Sequence, residues 1–145
     1  MIHIRQAAES DIPRILEIEN ESISPPWTHG ALLNEIFSEK SFFALAVENG
    51  DVLGFVILRC SDEEAQLMQI AVCGQNRRRG IANMLMTAAL DHVAKNSPMK
   101  FFLEVRESNI AAIRLYKQHK LATIAIRKDY YTHPIENAIV MMREF

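Results

Sequence analysis

Residues 100–116 read KFFLEVRESNIAAIRLY, and the period of the apolar residues changes inside this stretch. In its first half apolar side chains alternate, so Phe101, Leu103 and Val105 should face one side of a strand. Ser108-Asn109 then begins a helix, because both residue types favour the N-cap position and apolar residues follow at helical spacing. The stretch therefore predicts a half-buried strand that leads directly into an amphipathic helix.

The same pattern analysis along the chain predicts elements in the order β-α-α-β-β-β-α-β-α-β-β. Asn49-Gly50 joins two apolar runs and is a strong hairpin signal. The third helix should end at residues 96–98, Asn-Ser-Pro. The last two strands are predicted at residues 122–126 and 138–142, with a polar, aromatic linker over residues 127–137. Together these elements predict an α/β protein (an α+β mixed sheet) with helices on both faces of the central sheet.

Composition and charge limit the classes of function. The chain has 145 residues, of which 49% are hydrophobic and 23% charged, which suits one globular domain over residues 1–145. Its net charge of −2 argues against a nucleic-acid-binding protein, which usually carries a strongly basic face. No apolar run is long enough to cross a membrane and the first residues lack the pattern of a signal peptide, so we expect a cytoplasmic protein.

The cysteines and histidines do not form a metal-binding pattern. Cys60 and Cys73 are too few for a disulfide framework and lack the spacing of zinc ligands. We therefore expect two free thiols, buried or half-buried, in a reduced cytoplasm. The histidines are scattered along the chain, so the sequence predicts no metal.

Residues 75–83, QNRRRGIAN, place three consecutive arginines before a predicted helix. The N-terminus of a helix offers unpaired N–H groups and binds anions, and arginine matches phosphate geometry. Gly80 and Ala82 are small enough for a ligand to approach the backbone. The segment has neither GxxxxGK[ST] nor GxGxxG. Taken alone, it is compatible with a phosphate site, with a solvated surface loop and, less well, with a nucleic-acid patch.

Glu104 lies in the middle of an apolar strand, where a carboxylate is costly unless it is paired or functional. Its two interpretations are a general base and a surface pair with Arg106. Tyr116, on the helix that follows, is either a core aromatic residue or a phenol that donates a proton to a leaving group. Asn109 is an N-cap by default.

These segments together resemble the GNAT superfamily of acetyl-CoA-dependent N-acetyltransferases. The cofactor loop of that family has the pattern Q/R-x-x-G-x-G/A, which residues 77–82 match, and the element order matches over essentially the whole chain. Within the superfamily the sequence is similar to the RimI type, which acts on the N-terminal alanine of a small-subunit ribosomal protein. The other matching segments are Ile4-Arg5-Gln6-Ala7, Pro26-Trp27, Ile70-Ala71-Val72, Leu103-Glu104-Val105-Arg106, Ser108-Asn109, Ala111-Ala112-Ile113, Leu115-Tyr116, Arg127, Tyr130-Tyr131 and Asn137-Ala138-Ile139.

The resemblance implies acetyl-CoA as co-substrate and no metal. The pyrophosphate should lie on the N–H groups of residues 78–83, and the backbone of residues 70–72 should hold the pantetheine arm like an added strand. The implied cofactor-binding residues are Ile70, Ala71, Val72, Arg77, Arg78, Arg79, Gly80, Ile81, Ala82, Asn83 and Asn109. We expect at least one of the three arginines to be merely solvated.

The resemblance also implies a catalytic pair and an acceptor. Glu104 would remove a proton from the acceptor amine, and Tyr116 would protonate the departing thiolate. We hypothesise that Trp27, Tyr130 and Tyr131 line the groove for the N-terminal peptide of a probable ribosomal protein, because aromatic residues supply rigid contact area. Ordinary packing at the edge of the sheet is the alternative for these three.

Other acceptors and roles stay open at this stage. The chain could act on protein lysines or small-molecule amines, or be a non-catalytic acetyl-CoA-binding or nucleic-acid-binding module. The sequence also departs from the family pattern at one turn, where Lys120-Leu121 replaces the usual Gly-Phe after the helix that carries Tyr116. The loss of a glycine there puts the local helix cap in doubt.

Overall fold

The computed structural model describes residues 1–97 and 99–145. Pro98, which was expected to help end the third helix, lies outside the described residues. The predicted order of strands and helices is confirmed. The elements are β1 (His3–Gln6), α1 (Ile12–Ser22), α2 (His29–Phe37), β2 (Ser41–Glu48), β3 (Asp51–Cys60), β4 (Glu64–Val72), α3 (Ile81–Lys95), β5 (Lys100–Arg106), α4 (Ile110–Gln118), β6 (Ala122–Tyr131) and β7 (Glu136–Glu144).

The strands form one mixed sheet with the order β1-β2-β3-β4-β5-β7-β6. β4 and β5 run parallel, and the other neighbouring pairs run antiparallel. The apolar face of α1 and α2 packs on one side of the sheet. α3 and α4 pack on the other side, where Phe101, Leu103 and Val105 of β5 are buried as predicted. The sheet is therefore covered on both faces.

The parallel pairing of β4 with β5 ends early. It runs from Glu64 opposite Lys100 to Gln66 opposite Phe102. Beyond this point β4 stays paired with β3 as far as Val72, and β5 stays paired with β7. The two parallel strands therefore separate towards their carboxyl ends, which leaves a gap in the sheet and exposes backbone groups along one edge of β4.

A bulge in β4 lies beside this gap. Ile57 of β3 is opposite Gln69, whereas the next residue of β3 is opposite Leu67, so Met68 is the additional residue. Leu67 belongs to the core under α3, but Gln69, two positions later, contacts α1 instead. The bulge thus exchanges the two faces of β4, a change that residue alternation does not predict.

The last hairpin is longer than the sequence predicted. The linker assigned to residues 127–137 is wrong, because β6 continues to Tyr131 and β7 begins at Glu136. Asp129 adopts a positive φ of 52°, and its N–H donates to the side chain of Asn137 at 3.0 Å. This irregularity bends the hairpin without ending it, and it places the tyrosine pair on a strand.

The turn after α4 keeps a glycine-type geometry although its residue is lysine. Lys120 has a φ of 68°, and its N–H donates to the carbonyl of Lys117 at 2.9 Å. The N–H of the buried Leu121 donates to the carbonyl of Tyr116 at 3.1 Å. These two bonds form a Schellman cap. The departure from the family pattern therefore keeps the cap, at a cost of about 1 kcal/mol for a left-handed non-glycine residue.

We predict that Gly54→Ala destabilises the protein by about 1–3 kcal/mol, the usual cost of overpacking. A Cβ atom at residue 54 would lie 2.6 Å from the carbonyl oxygen of Ala71, so β4 must shift away from β3. Urea denaturation measures the change in unfolding free energy. The matched control is Gly30→Ala in α2, where the nearest atom is the Thr28 hydroxyl oxygen at 4.0 Å. That variant should be as stable as the parent or more so, and equal stability of the two variants would contradict the close approach.

Candidate active site

A cavity of about 460 Å³ opens where β4 and β5 separate, beside the first turns of α3 and α4. It brings together most of the residues for which the family pattern implies cofactor binding. Those that line it are Ile70, Ala71, Val72, Arg77, Arg78, Gly80, Ile81, Ala82, Asn83 and Asn109. Tyr116 also lines it, together with residues that the sequence analysis missed, namely Asn76, Ala111, Ala112, Arg114, Leu115 and Gln118.

The N-terminus of α3 faces this cavity without a side-chain cap. Gly80 occupies the N-cap position with a φ of 76°, which strongly favours glycine. The N–H of Met84 donates to the Gly80 carbonyl at 3.1 Å. The three preceding N–H groups, those of Ile81, Ala82 and Asn83, have no acceptor inside the helix. They are available to an anion in the cavity.

The N-terminus of α4 is capped by Asn109, as its default interpretation predicted. The side-chain oxygen of Asn109 accepts a hydrogen bond from the N–H of Ala112 at 3.2 Å. Asn109 also lines the cavity. Its side chain therefore serves the helix, and any contact with a ligand has to use the groups that the cap leaves available.

The three consecutive arginines point to different places. Arg77 and Arg78 line the cavity. The guanidinium of Arg79 instead donates to both carboxylate oxygens of Glu48 at 2.9 and 3.0 Å, and these hydrogen bonds lower the pKa of Glu48. Arg114 of α4 supplies a further positive charge to the cavity. The side chain of Arg79 is thus engaged at the β2–β3 hairpin, which weakens its implied role in cofactor binding.

Glu104 projects from β5 on the face opposite the α3 and α4 core. Its side chain is 17% exposed, and its Oε2 lies 3.3 Å from Nε of Arg127. This ion pair is not aligned as a hydrogen bond, so within the described residues the buried Oε2 has no hydrogen-bond partner. The alternative surface pair with Arg106 is wrong, because Arg106 contacts Glu136. Glu104 thus presents a carboxylate oxygen that can accept a proton.

Arg106 fastens the loop between β6 and β7. Its guanidinium donates to the carbonyls of Thr132 at 3.1 Å and Pro134 at 3.0 Å. It also donates to the carboxylate of Glu136 at 3.2 Å and lies 4.4 Å from the ring centroid of Tyr131. The sequence analysis considered Arg106 only as a surface partner of Glu104, which lies two residues before it on the same face of β5.

Tyr130 and Tyr131 are neighbours of Glu104, and Tyr131 is also a neighbour of Tyr116. The rings of Tyr130 and Tyr131 meet edge to face, with centroids 5.1 Å apart. Burial, followed by the charge of Glu104, raises the pKa of Tyr130 and raises that of Tyr131 to about 12. Burial, followed by Tyr131, also raises the pKa of Tyr116. Tyr131 is therefore close to both members of the predicted catalytic pair.

Trp27 lies on the other side of the gap, in the connection between α1 and α2. Its backbone N–H donates to Oε1 of the buried Glu19 at 2.9 Å. The Gln69 amide satisfies its neighbours when its nitrogen donates to Oε2 of Glu19 and its oxygen accepts from the indole Nε1 at 3.0 Å. Trp27 therefore lies next to β4 immediately before residues 70–72. The tyrosine pair lies on the β5 side, so the three aromatic residues flank the gap rather than form one cluster.

The remaining predictions about the chain concern thiols, metals and membranes. Cys60 is half-buried and Cys73 is buried, and both are free thiols, as expected. Residues 1–97 and 99–145 contain no group of three His, Cys, Asp or Glu side chains that could hold a metal ion. No helix in the described part of the chain is both long and apolar enough to cross a membrane.

Known proteins resemble this chain in both sequence and structure. Residues 12–120 match the acetyltransferase (GNAT) family. The [ribosomal protein bS18]-alanine N-acetyltransferase of Haemophilus ducreyi is 33% identical over 95% of this chain and 97% of its own length. The enzyme of the same name from Escherichia coli K12 is 32% identical over 91% of this chain and 90% of its own. The crystal structure of the ribosomal-protein-S18-alanine N-acetyltransferase from Escherichia coli superimposes with a TM-score of 0.91 at 30% identity, covering 99% of this chain and 94% of that one.

We predict that Arg78→Ala weakens the binding of acetyl-CoA about tenfold, which corresponds to one charge-assisted hydrogen bond. Arg79→Ala should leave the dissociation constant nearly unchanged, because its guanidinium is held by Glu48 outside the cavity. Isothermal titration calorimetry at fixed ionic strength measures both values, since salt screens such contacts. Equal losses in the two variants would contradict the separation of roles.

Proposed function

This chain belongs to the acetyltransferase (GNAT) family, and we propose that it acetylates the N-terminal alanine amine of a small-subunit ribosomal protein. The reaction class follows from the family, so the chain is an acetyl-CoA-dependent N-acetyltransferase. The observation that carries the acceptor proposal is the position of Glu104, which follows the last paired residues of β4 and β5 and whose Oε2 has no hydrogen-bond partner among the described residues. The names of the relatives support alanine as the first residue. Such an enzyme would act in the cytoplasm, where ribosomal proteins are made.

The cavity fits the co-substrate in charge and in backbone geometry. The unpaired N–H groups at the start of α3 and the guanidinium groups of Arg77, Arg78 and Arg114 match phosphate groups. The edge of β4 at residues 70–72, which β5 leaves unpaired, offers backbone donors and acceptors to an extended, amide-containing arm. Bound acetyl-CoA supplies an acetyl group activated as a thioester.

Glu104 prepares the acceptor amine. A peptide α-amino group has a pKa of about 7.7–8.0, so much of it is protonated at neutral pH and cannot attack. Oε2 of Glu104 accepts this proton, directly or through one water molecule. Nε of Arg127 lies 3.3 Å from that oxygen.

Tyr116 protonates the sulfur atom that leaves the thioester. Burial and the neighbouring Tyr131 raise the pKa of Tyr116, so its hydroxyl holds a proton throughout the accessible pH range. The same burial raises the proton affinity of a thiolate in the cavity, because a low dielectric disfavours each charged form. A thiolate that forms in the cavity can therefore take its proton from the Tyr116 hydroxyl.

The acceptor groove has two aromatic walls on this proposal. Trp27 forms the wall beside β4, and Tyr130 and Tyr131 form the wall beside β5. Arg106 holds the second wall through its stacking on Tyr131 and its bonds to the β6–β7 loop. The α-amino group of a peptide that enters between them reaches Glu104 at the bottom of the gap.

We predict that Glu104→Gln lowers kcat about 10²–10⁴-fold, the usual contribution of a general base, and that Tyr116→Phe lowers it at least about tenfold. The affinity for acetyl-CoA should remain within about twofold of the parent in both variants, because neither group is assigned to the phosphates. Steady-state kinetics and calorimetry measure the two quantities. The exposed Glu107 provides the control, since Glu107→Gln should leave kcat unchanged. Parent-like turnover in the two active-site variants would exclude the proposed roles.

The acceptor itself is tested with peptides that differ only in their first residue. An N-terminal alanine should give the highest kcat/KM, with glycine reduced about tenfold for the missing methyl group. A peptide with a blocked N-terminus and an internal lysine should be a poor substrate, because a lysine amine with a pKa of about 10.4 is harder to deprotonate. Preferential acetylation of that lysine would replace the proposal by lysine acetylation. Mass spectrometry of protein N-termini in cells with and without the protein provides the matching test in vivo.

A further inference from the structure

Glu19 is a buried carboxylate that the proposed chemistry does not use. It lies on α1 with a relative exposure of 0%. Within residues 1–97 and 99–145 its carboxylate forms no ion pair, and the only groups that donate to it belong to Trp27 and Gln69. Burial raises its pKa, and the hydrogen bonds from these two residues oppose that effect. A buried carboxylate without a counter-charge is costly, and a leucine or glutamine would fill the same space.

The carboxylate determines how the Gln69 amide is oriented. An ionised carboxylate only accepts hydrogen bonds, so the Gln69 nitrogen has to face it and the Gln69 oxygen has to face away. That oxygen then accepts from the indole Nε1 of Trp27 at 3.0 Å. The other oxygen of Glu19 accepts from the backbone N–H of the same tryptophan at 2.9 Å. Glu19 thus holds Trp27 by its backbone directly and by its ring through Gln69.

The hydrogen bonds from Glu19 through Gln69 to Trp27 form a relay that lies close to the proposed acceptor site. Gln69 follows the bulge at Met68 and therefore faces α1, on the side of the sheet to which Glu104 also projects. It directly precedes residues 70–72, where β4 borders the gap. The bond from the indole N–H to the Gln69 amide therefore holds the ring of Trp27 beside β4, next to the residues that border the gap.

We propose that Glu19 is a positioning residue for the acceptor peptide: through Gln69 it fixes the indole of Trp27 as a rigid wall beside the first residue of the peptide. The inference rests on the proposed function in that the acceptor enters between Trp27 and the tyrosine pair. It assigns to Glu19 no contact with substrate and no proton transfer.

The donors and acceptors of this relay are arranged in one direction. Exchanging the residues at positions 19 and 69 tests that arrangement. In Glu19→Gln the new amide can accept from the Trp27 backbone and donate to the Gln69 oxygen, but the Gln69 nitrogen then faces the indole N–H, and two donors oppose each other. The double variant Glu19→Gln with Gln69→Glu restores each bond in the reversed order: Gln at 19 donates to Glu at 69, whose other oxygen accepts from the indole. Size and net charge equal those of the parent.

Kinetics with an alanine peptide test the consequence for the acceptor. Glu19→Gln should raise KM for the peptide about tenfold, the effect of one buried hydrogen bond, with kcat and the affinity for acetyl-CoA nearly unchanged. The double variant should return KM to within about threefold of the parent, as expected for coupled partners. Glu17→Gln on the exposed side of α1 is the matched control and should behave like the parent. A KM that the single change leaves unaltered, or that the swap fails to restore, would overturn the inference.

Fluorescence tests the relay without any reaction. Trp27 is the only tryptophan of the chain, so its emission reports directly on the indole. Glu19→Gln should shift the emission of the free protein to longer wavelength, and the double variant should reverse the shift. Should Glu19→Gln fail to fold, Gln69→Met removes the same bond from the middle of the relay and should give the same shift and the same rise in KM.

The two readouts separate the two proposals. If the parent does not acetylate alanine peptides, the proposed acceptor is wrong, and the emission of the variants still decides whether Glu19 fixes the indole. If the parent acetylates them and the variants show the shift without a change in KM, the proposed acceptor stands and the role of Glu19 in peptide binding is excluded.

Discussion

The early end of the pairing between β4 and β5 is the constraint from which the site follows. Only the segments from Glu64 to Gln66 and from Lys100 to Phe102 are joined. Each strand is then held by its other neighbour, so the gap can close only by breaking hydrogen bonds to β3 or β7. Because α3 and α4 follow these two strands, their N-termini meet at the gap. Anion-binding N–H groups and an unpaired strand edge are thereby brought together where a parallel pair opens.

Local sequence patterns predicted the elements that meet at the gap but not the way they are bent. Alternation in β5 correctly separated its buried residues from Glu104, because that strand is regular. The bulge at Met68 depends on the register with β3, which no local pattern encodes. The β6–β7 hairpin was predicted too short for a related reason. Its Asp, Pro and Asn residues are depleted in strands, whereas the bond from Asp129 to the side chain of Asn137 keeps it paired.

The arginine cluster shows that local sequence patterns also do not predict which charges are available to a ligand. The sequence shows that Arg77, Arg78 and Arg79 are adjacent, but not that the third forms an ion pair with Glu48 on a distant hairpin. Arg114 lies outside the family motif, yet it reaches the cavity because α4 runs along one wall. The local charge of an anion site is therefore set by which arginines lack a carboxylate partner, and that is decided by tertiary contacts rather than by the motif.

In the proposed function, aromatic residues form both walls of the acceptor groove, and a charged side chain holds each wall in place. Arg106 holds Tyr131 on one side, and Glu19 holds Trp27 through Gln69 on the other. An aromatic ring has two rotatable side-chain bonds, so one well-placed hydrogen bond or stacked cation removes most of its freedom. Changes in the supporting charges can then shift the walls and alter acceptor preference while the aromatic residues and Glu104 stay the same. On this proposal, specificity resides partly in side chains that the acceptor never touches.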